Sequence, residues 1–285
     1  MVIWGSVFLT TMSISIFARL TGLPGPAQVD FLSRSETWLP FVALMVGAVV
    51  GMIDDLLVIR PGGTGLPLWL RLFIVLILSS FAGWWFWSKL AVSSVAIPWH
   101  APLALGAGIV PLFILVSLAL YASGVIDGID GLSGGVFASV FASYTIIAFN
   151  EHQPALAAFC AAVVGGLLSF VWFNIPPARF YMSDTGTMAL TLCLSVVVFM
   201  TDTLGGGVGI AVLPVIGGLL VVTVLSNVLQ VISKKIFRKK LLKVAPLHHH
   251  FEAIGWAGPK VVMRYWVLSI VLAFAGVIIA LSAAH

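Results

Sequence analysis

Nine apolar stretches, each long enough to cross a bilayer as a helix, constrain this chain more than any other feature. A hydrocarbon core about 30 Å thick takes about 20 residues of α-helix. The stretches lie at 1–20, 37–53, 68–88, 102–121, 132–149, 155–173, 186–201, 209–232 and 261–283. A transmembrane barrel would instead show segments of about ten residues alternating apolar and polar, and no such pattern occurs. Of the 285 residues, 61% are hydrophobic and 8% are charged. That is too few charges to cover a water-soluble domain and too apolar for a disordered chain. The expected fold is all-α: a polytopic integral membrane helical bundle of about nine transmembrane helices, forming one domain over residues 1–285. The first stretch lacks a basic leader and a small-residue cleavage site, so it reads as a span and not a signal peptide.

Alternation of the spans sorts the connections onto two sides. Residues 54–67, 123–131, 174–185 and 233–260 share one side; 21–36, 89–101, 150–154, 202–207 and the C-terminus share the other. Counted with the adjoining span ends, the first side carries Arg60, Arg71, Arg179, Lys234, Lys235, Arg238, Lys239, Lys240, Lys243, Lys260 and Arg264. The second carries Arg19, Arg34 and Lys89. An excess of Lys and Arg marks the cytoplasmic side. The run at 234–243 concentrates much of the net charge of +4, which suits anionic headgroups of membrane lipid. It does not form a track for a nucleic-acid backbone, and no nucleic-acid partner is expected. Cys160 and Cys193 lie in apolar runs and form neither a disulfide framework nor a CxxC metal site. Trp84, Trp85 and Trp87 read as an interfacial aromatic belt, and Gly165-Gly166 and Gly217-Gly218 as places where helices pack closely.

The acidic residues fall unevenly. Asp54, Asp55, Asp127, Asp130, Asp184 and Glu252 are all on the cytoplasmic side, and carboxylates at a bilayer edge are costly unless paired or bound to a metal. Asp54-Asp55 closes the second span. Adjacent carboxylates repel unless a cation sits between them, so the pair suits Mg2+, a general base, or simply a solvated helix end. Asp127 and Asp130, three apart among glycines, form a tight turn whose carboxylates can converge; it also suits helix capping. Asn174 precedes Pro176 and Pro177, which end a helix, and Asp184 follows ten residues later. Asp184 could cap the next helix, whose N-terminus would offer backbone N–H groups to an anion, or it could hold Mg2+. His248, His249 and His250 are consecutive, so they cannot all reach one ion; hydrogen bonds or partial charge toward phosphates fit better.

These residues resemble the polyprenyl-phosphate N-acetylhexosamine-1-phosphate transferase family, and its phospho-N-acetylmuramoyl-pentapeptide-transferase branch in particular. The likeness rests on the DD pair, DGIDGL, FN-x-x-P-A-x-x-Y-M-x-D-x-G-T, and above all APLHHHFE followed by GW-x-x-P-K-V-V-x-R-Y-W. It implies transfer of phospho-MurNAc-pentapeptide from UDP-MurNAc-pentapeptide to undecaprenyl phosphate, giving lipid I and UMP with Mg2+ as cofactor. The reaction would run at the cytoplasmic face of a bacterial inner membrane, in a multi-pass homodimer. By motif position, the resemblance makes Asp54 the base on the lipid phosphate, with Asp55 beside it, and Asp184 the Mg2+ ligand. It sets Asp127 and Asp130 by the nucleotide, with Tyr181 stacking where the family has Phe. Asn174 and the three histidines would line the diphosphate region, and Arg71 stands where the family has a lysine.

The sequence also departs from the family. Tyr121 and Gly124 replace the asparagines of N-x-x-N-x-x-D, Val58 replaces a lysine three residues after the DD pair, and Ser183 replaces the glycine before the metal aspartate. The family has ten spans, and this chain begins on what resembles the second. Two neighbouring readings are a transferase for another UDP-N-acetylhexosamine and an inactive relative. A cation- or proton-coupled transporter would carry acids at mid-membrane; here no Asp, Glu, Lys or Arg falls in the middle of a span.

Overall fold

The computed structural model describes residues 2–25, 30–33 and 38–283. Its helices are α1 (Val2–Thr21), α2 (Trp38–Ile59), α3 (Leu68–Ser88), α4 (Ile109–Ser123), α5 (Leu132–Asn150), α6 (Pro154–Asn174), α7 (Ser183–Met200), α8 (Gly209–Ile216), α9 (Gly218–Ile236), α10 (Leu247–Ala253) and α11 (Gly258–Ala283). Among the described residues, nine segments are long and apolar enough to cross a membrane: α1 to α7, with α4 extended to Gly106–Ile126, and α9 and α11. The chain is a polytopic helical membrane protein. Arg34, counted above on the less basic side, lies outside the described residues, as do the span ends at 1 and 37.

Three expectations need correction. The segment 102–121 does not start as helix: Ser94–Ile97 (β1) and His100–Ala104 (β2) pair antiparallel, with a register shift between Val95 and Ile97, a short hairpin on an otherwise helical bundle. Asp202 Oδ1 accepts the Ala96 N–H at 2.9 Å and holds the hairpin down, a long-range tie that no local pattern encodes. The segment 209–232 is not one helix. Pro214 removes a donor inside α8, and the chain restarts as α9 after Gly217, as proline and glycine commonly dictate. Finally, α2 runs on to Ile59, so Asp54-Asp55 sits within the helix rather than closing it.

The core is organised around α7. From Thr185 to Met200 every residue of α7 is buried, and it packs against α2, α4, α8, α5, α1 and α3. Further along, its buried hydroxyls are satisfied within the helix: Thr191 Oγ1 donates to the Thr187 carbonyl at 2.7 Å and Ser195 Oγ to that of Thr191 at 2.9 Å. Back-bonding of this kind lets Ser and Thr sit in an apolar core without an orphaned donor. Of the paired glycines, Gly166 lies against Ile3 and Ser6 of α1, whereas Gly165 meets open space.

Candidate active site

The sequence of α2 delivers two carboxylates to the first turn of α7. The buried residues of α2 are Pro40, Phe41, Leu44, Gly47, Ala48, Gly51 and Asp54, a stripe at helical spacing. A β-carbon at Gly47 would stand 2.7 Å from the Met188 carbonyl oxygen, and one at Gly51 would overlap the Asp184 carbonyl. The two backbones therefore touch, as small residues four apart allow in membrane helices. The contact carries Asp54 and Asp55, one turn on, to the start of α7.

The orphan amides of α7 are all taken there. Asp55 Oδ1 accepts the Asp184 N–H at 3.2 Å, and its Oδ2 accepts the Thr185 N–H at 3.0 Å together with the Thr185 hydroxyl. Asp127 Oδ2 accepts the Ser183 N–H at 3.1 Å, and its Oδ1 the Ser133 hydroxyl at 2.6 Å. Burial holds the Asp127 carboxyl above its usual range, partly offset by these two bonds. The anion at this helix N-terminus is thus the chain's own pair of acids, not an incoming phosphate. Nor does Asp184 cap α7; Asp55 does so from another helix.

Arg71, in the first turn of α3, joins the cluster. Its Nη1 donates to Asp184 Oδ2 at 2.9 Å and its Nε to the Leu66 carbonyl at 2.8 Å. Its Nη2 stands 2.9 Å from Asp54 Oδ2, an ion pair lying off the N–H direction. Asp54 is fully buried, and its Oδ1 accepts the Leu66 N–H at 2.5 Å. Gly65, at φ +69°, fits where a β-carbon would press on Asp54 and Arg71. Its left-handed backbone lets the loop close over both.

Arg71, Asp55, Asp127 and Asp184 line a cleft of about 730 Å3, with Tyr121, Gly124, Thr187 and Asn227 and with apolar Leu68, Leu72, Val224 and Val228. Asp54 is behind this wall and does not line it. Asp130 sits apart, its Oδ2 accepting the Ala178 N–H at 3.3 Å. Asn174 is buried and fully engaged: its Oδ1 accepts the Gly131 N–H and its Nδ2 donates to the Phe180 carbonyl, both at 2.8 Å. It fastens the 127–131 turn to the 175–182 loop. Tyr181 is 68% exposed and borders a different pocket, with Val2, Trp4 and Phe180.

The three histidines are on α10; His248 and His249 meet the 127–131 turn, and none of the three lines the cleft. A β-carbon at Gly128 would lie 2.5 Å from His249 Nε2 and 2.7 Å from His248 Nε2. His248 is fully buried with neither ring nitrogen hydrogen-bonded among the described residues, and burial, with the charge of His249 second, lowers it to about 4. It is neutral near pH 7. His249 Nδ1 is 2.8 Å from Glu252 Oε2, and His250 Nδ1 accepts the Lys243 N–H at 3.1 Å. The rings have different partners, and among the described residues no three His, Cys, Asp or Glu side chains are grouped to hold a metal ion. Sequence reasoning missed Thr185, Ser133 and the Leu66 backbone. The Gly47/Gly51 spacing was the available signal for the α2–α7 contact.

Residues 37–202 match the family model described as glycosyl transferase family 4, more than half of the chain. The chain belongs to glycosyl transferase family 4. Within that family it is similar to proteins named phospho-N-acetylmuramoyl-pentapeptide-transferase. The one from Moorella thermoacetica is 35% identical over 277 residues, 95% of this chain and 81% of that protein. The one from Geobacillus thermodenitrificans is 33% identical over 257 residues, 89% of this chain and 77% of its own length. That from Rubrobacter xylanophilus is 41% identical over 173 residues, 58% of this chain and 51% of the relative. The family match covers the DD pair, Arg71, the 127–131 turn and Asp184, the residues that the fold gathers around the first turn of α7; the histidines lie beyond it.

Proposed function

We propose that this family 4 chain transfers phospho-N-acetylmuramoyl-pentapeptide from UDP-MurNAc-pentapeptide to undecaprenyl phosphate, forming lipid I and UMP. The reading places it in a bacterial inner membrane with the cleft facing the cytoplasm. It is supported by the names of relatives aligned over most of this chain. The single observation that carries it is the convergence of Arg71, Asp127 and Asp184, from three distant segments, on one cleft with apolar walls. Such a cleft suits a phosphate whose carrier is a lipid. The positive-inside count supports the orientation.

In the proposed reaction a lipid-phosphate oxygen attacks the sugar-bearing phosphorus of the UDP sugar. The new P–O bond forms as the bond to the UMP oxygen breaks, and UMP carries the electron pair away. Phosphoryl transfer of this kind is mostly positioning and charge neutralisation. Arg71 supplies a forked cation in the cleft wall. Asp55 and Asp127 hold the start of α7, and with it Asp184, in place.

The donor set fits Mg2+ in one way. Asp184 alone among Asp54, Asp55, Asp127 and Asp184 accepts no hydrogen bond from a backbone amide or hydroxyl among the described residues, and it is 33% exposed. Mg2+ is commonly held by one or two carboxylates plus substrate phosphates and water, so Asp184 would hold it. When bound, it would neutralise charge on the diphosphate.

The test is UMP release by the purified chain given UDP-MurNAc-pentapeptide, undecaprenyl phosphate and Mg2+. Release that depends on both substrates is expected; no release from folded protein would overturn the reading. The homodimer implied by the resemblance is tested separately by native mass measurement in detergent.

A further inference from the structure

We propose that Arg71 is a built-in counter-ion that keeps Asp184 from a divalent cation until a phosphate group takes its place on Nη1 and the Asp184 carboxylate turns free. The inference rests on the proposed function and adds a gate to its metal site. The geometry supplies the gate. Asp184's one ion-pair partner among the described residues is Arg71, through Nη1 at 2.9 Å. A second cation arriving at that carboxylate meets a positive charge already in contact with it, and like charges at this range repel strongly outside bulk water.

Arg71 cannot simply leave. Its Nη2 faces the fully buried Asp54 carboxylate, and its Nε is fixed to the Leu66 carbonyl. Removing the partner of a buried charge is strongly unfavourable, so Nη2 and Nε stay put and the planar guanidinium with them; what can be exchanged is the acceptor on Nη1, on the cleft side. Arg71 is itself 21% exposed and lines the cleft. A phosphate oxygen offers Nη1 an alternative acceptor of higher charge, and guanidinium–phosphate pairs are strong and directional. Phosphate and metal then bind in support of each other: the first occupies the arm, and the second takes the carboxylate it releases.

The test measures Mn2+ binding to the purified full-length chain in detergent, by loss of the free-ion electron paramagnetic resonance signal, without substrate. In Arg71→Lys one ammonium replaces the two-pronged fork and is drawn first to buried Asp54, so its hold on Asp184 weakens and Mn2+ is expected to bind about tenfold tighter than in wild type. The gain should vanish in the Arg71→Lys/Asp184→Asn double variant. Arg71→Met, which removes the charge altogether, should show at least the Lys gain if its melting curve is cooperative. Arg71→Lys keeps the test decisive if Arg71→Met does not fold. Equal or weaker Mn2+ binding by Arg71→Lys, a gain that survives Asp184→Asn, or no Mn2+ binding by any variant would each overturn the gate. Wild type that releases UMP while Arg71→Lys shows no gain sinks the gate alone. Wild type that releases none sinks the proposed activity, whatever Mn2+ does.

Discussion

α7 has carboxylates at both ends, roughly 27 Å apart for a helix of 18 residues, and the two clusters do different things. At the N-terminal end Asp55, Asp127 and Asp184 border a cleft and share it with Arg71. At the C-terminal end Asp202 is buried, and its two oxygens accept the Ala96 N–H at 2.9 Å and the Ile210 N–H at 3.0 Å. Glu151 lies beside it against Gly205 and Gly207. Burial, with the charge of Asp202 second, pushes Glu151 up to about 9, so it is protonated near neutral pH. Neither acid has an ion-pair partner among the described residues. One end keeps charge by pairing it with a guanidinium and opening it to solvent. The other uses carboxyl oxygens as hydrogen-bond acceptors that fasten a hairpin and the start of α8. An acid at the edge of a membrane helix is therefore no sign of chemistry until its partners are known.

Substitution should separate the two ends. Asp184→Asn is expected to lower UMP release by roughly 10²–10³-fold, the scale for removing one preorganised charge from a transition state, with little change in melting temperature. Asp202→Ala should do the reverse. It leaves two backbone donors without acceptors, each worth about 1–3 kcal/mol, so a loss of about 2–6 kcal/mol in unfolding free energy is expected, with KM unchanged in the protein that remains folded. A melting-temperature fall in Asp184→Asn as large as that in Asp202→Ala would break the contrast.

Glu151 gives a pH-dependent contrast. Its pKa in the folded protein is about 9, against 4.5 for the free side chain. Between those values the folded state holds a proton that the unfolded state has lost. Stability from this group is complete below about pH 4.5 and is lost progressively as pH rises toward 9. Glu151→Gln keeps the shape of the protonated carboxyl and should flatten that part of the melting-temperature profile. The gain over wild type should be largest near pH 9 and small near pH 5. Equal slopes for the two proteins over this range would mean that Glu151 is ionised throughout.

Much of this was legible because lipid imposes a coarse rule. Length and hydropathy locate the spans, and basic residues sort the loops, which is why Asp54, Asp55, Asp127, Asp130, Asp184 and Glu252 fall on one side from sequence alone, although only Asp55, Asp127 and Asp184 of these line the cleft. What stayed hidden depends on contacts between distant segments. The hairpin is anchored by Asp202 across more than 100 residues of chain. Asn174 reads as a ligand-binding residue, yet both ends of its amide are spent on backbone. The burial of Asp54 follows from the register of α2 against α7, which Gly47 and Gly51 set. Tyr181 falls outside the cleft, beside Val2, Trp4 and Phe180, and nothing in the local sequence specifies that placement.

The two ends also differ in how they handle left-handed backbone, and this yields the smallest predicted effect. In the loop after α7 the positive φ of +77° belongs to Gly206, where an added β-carbon would meet open space. At the start of α7 it belongs to Ser183, at φ +55°. A β-carbon in that conformation costs about 1–2 kcal/mol, offset in part by the smaller entropy a serine loses on folding relative to glycine. Ser183→Gly is therefore expected to stabilise the protein by about 0.5–1 kcal/mol, read as a small rise in melting temperature. Gly206→Ser should cost a similar amount. Strain of this kind persists where surrounding bonds hold it, and here the Ser183 N–H is held by Asp127. If Ser183→Gly destabilises instead, the serine side chain contributes a contact that outweighs its backbone cost, and the strain at this end of α7 would lose its energetic meaning.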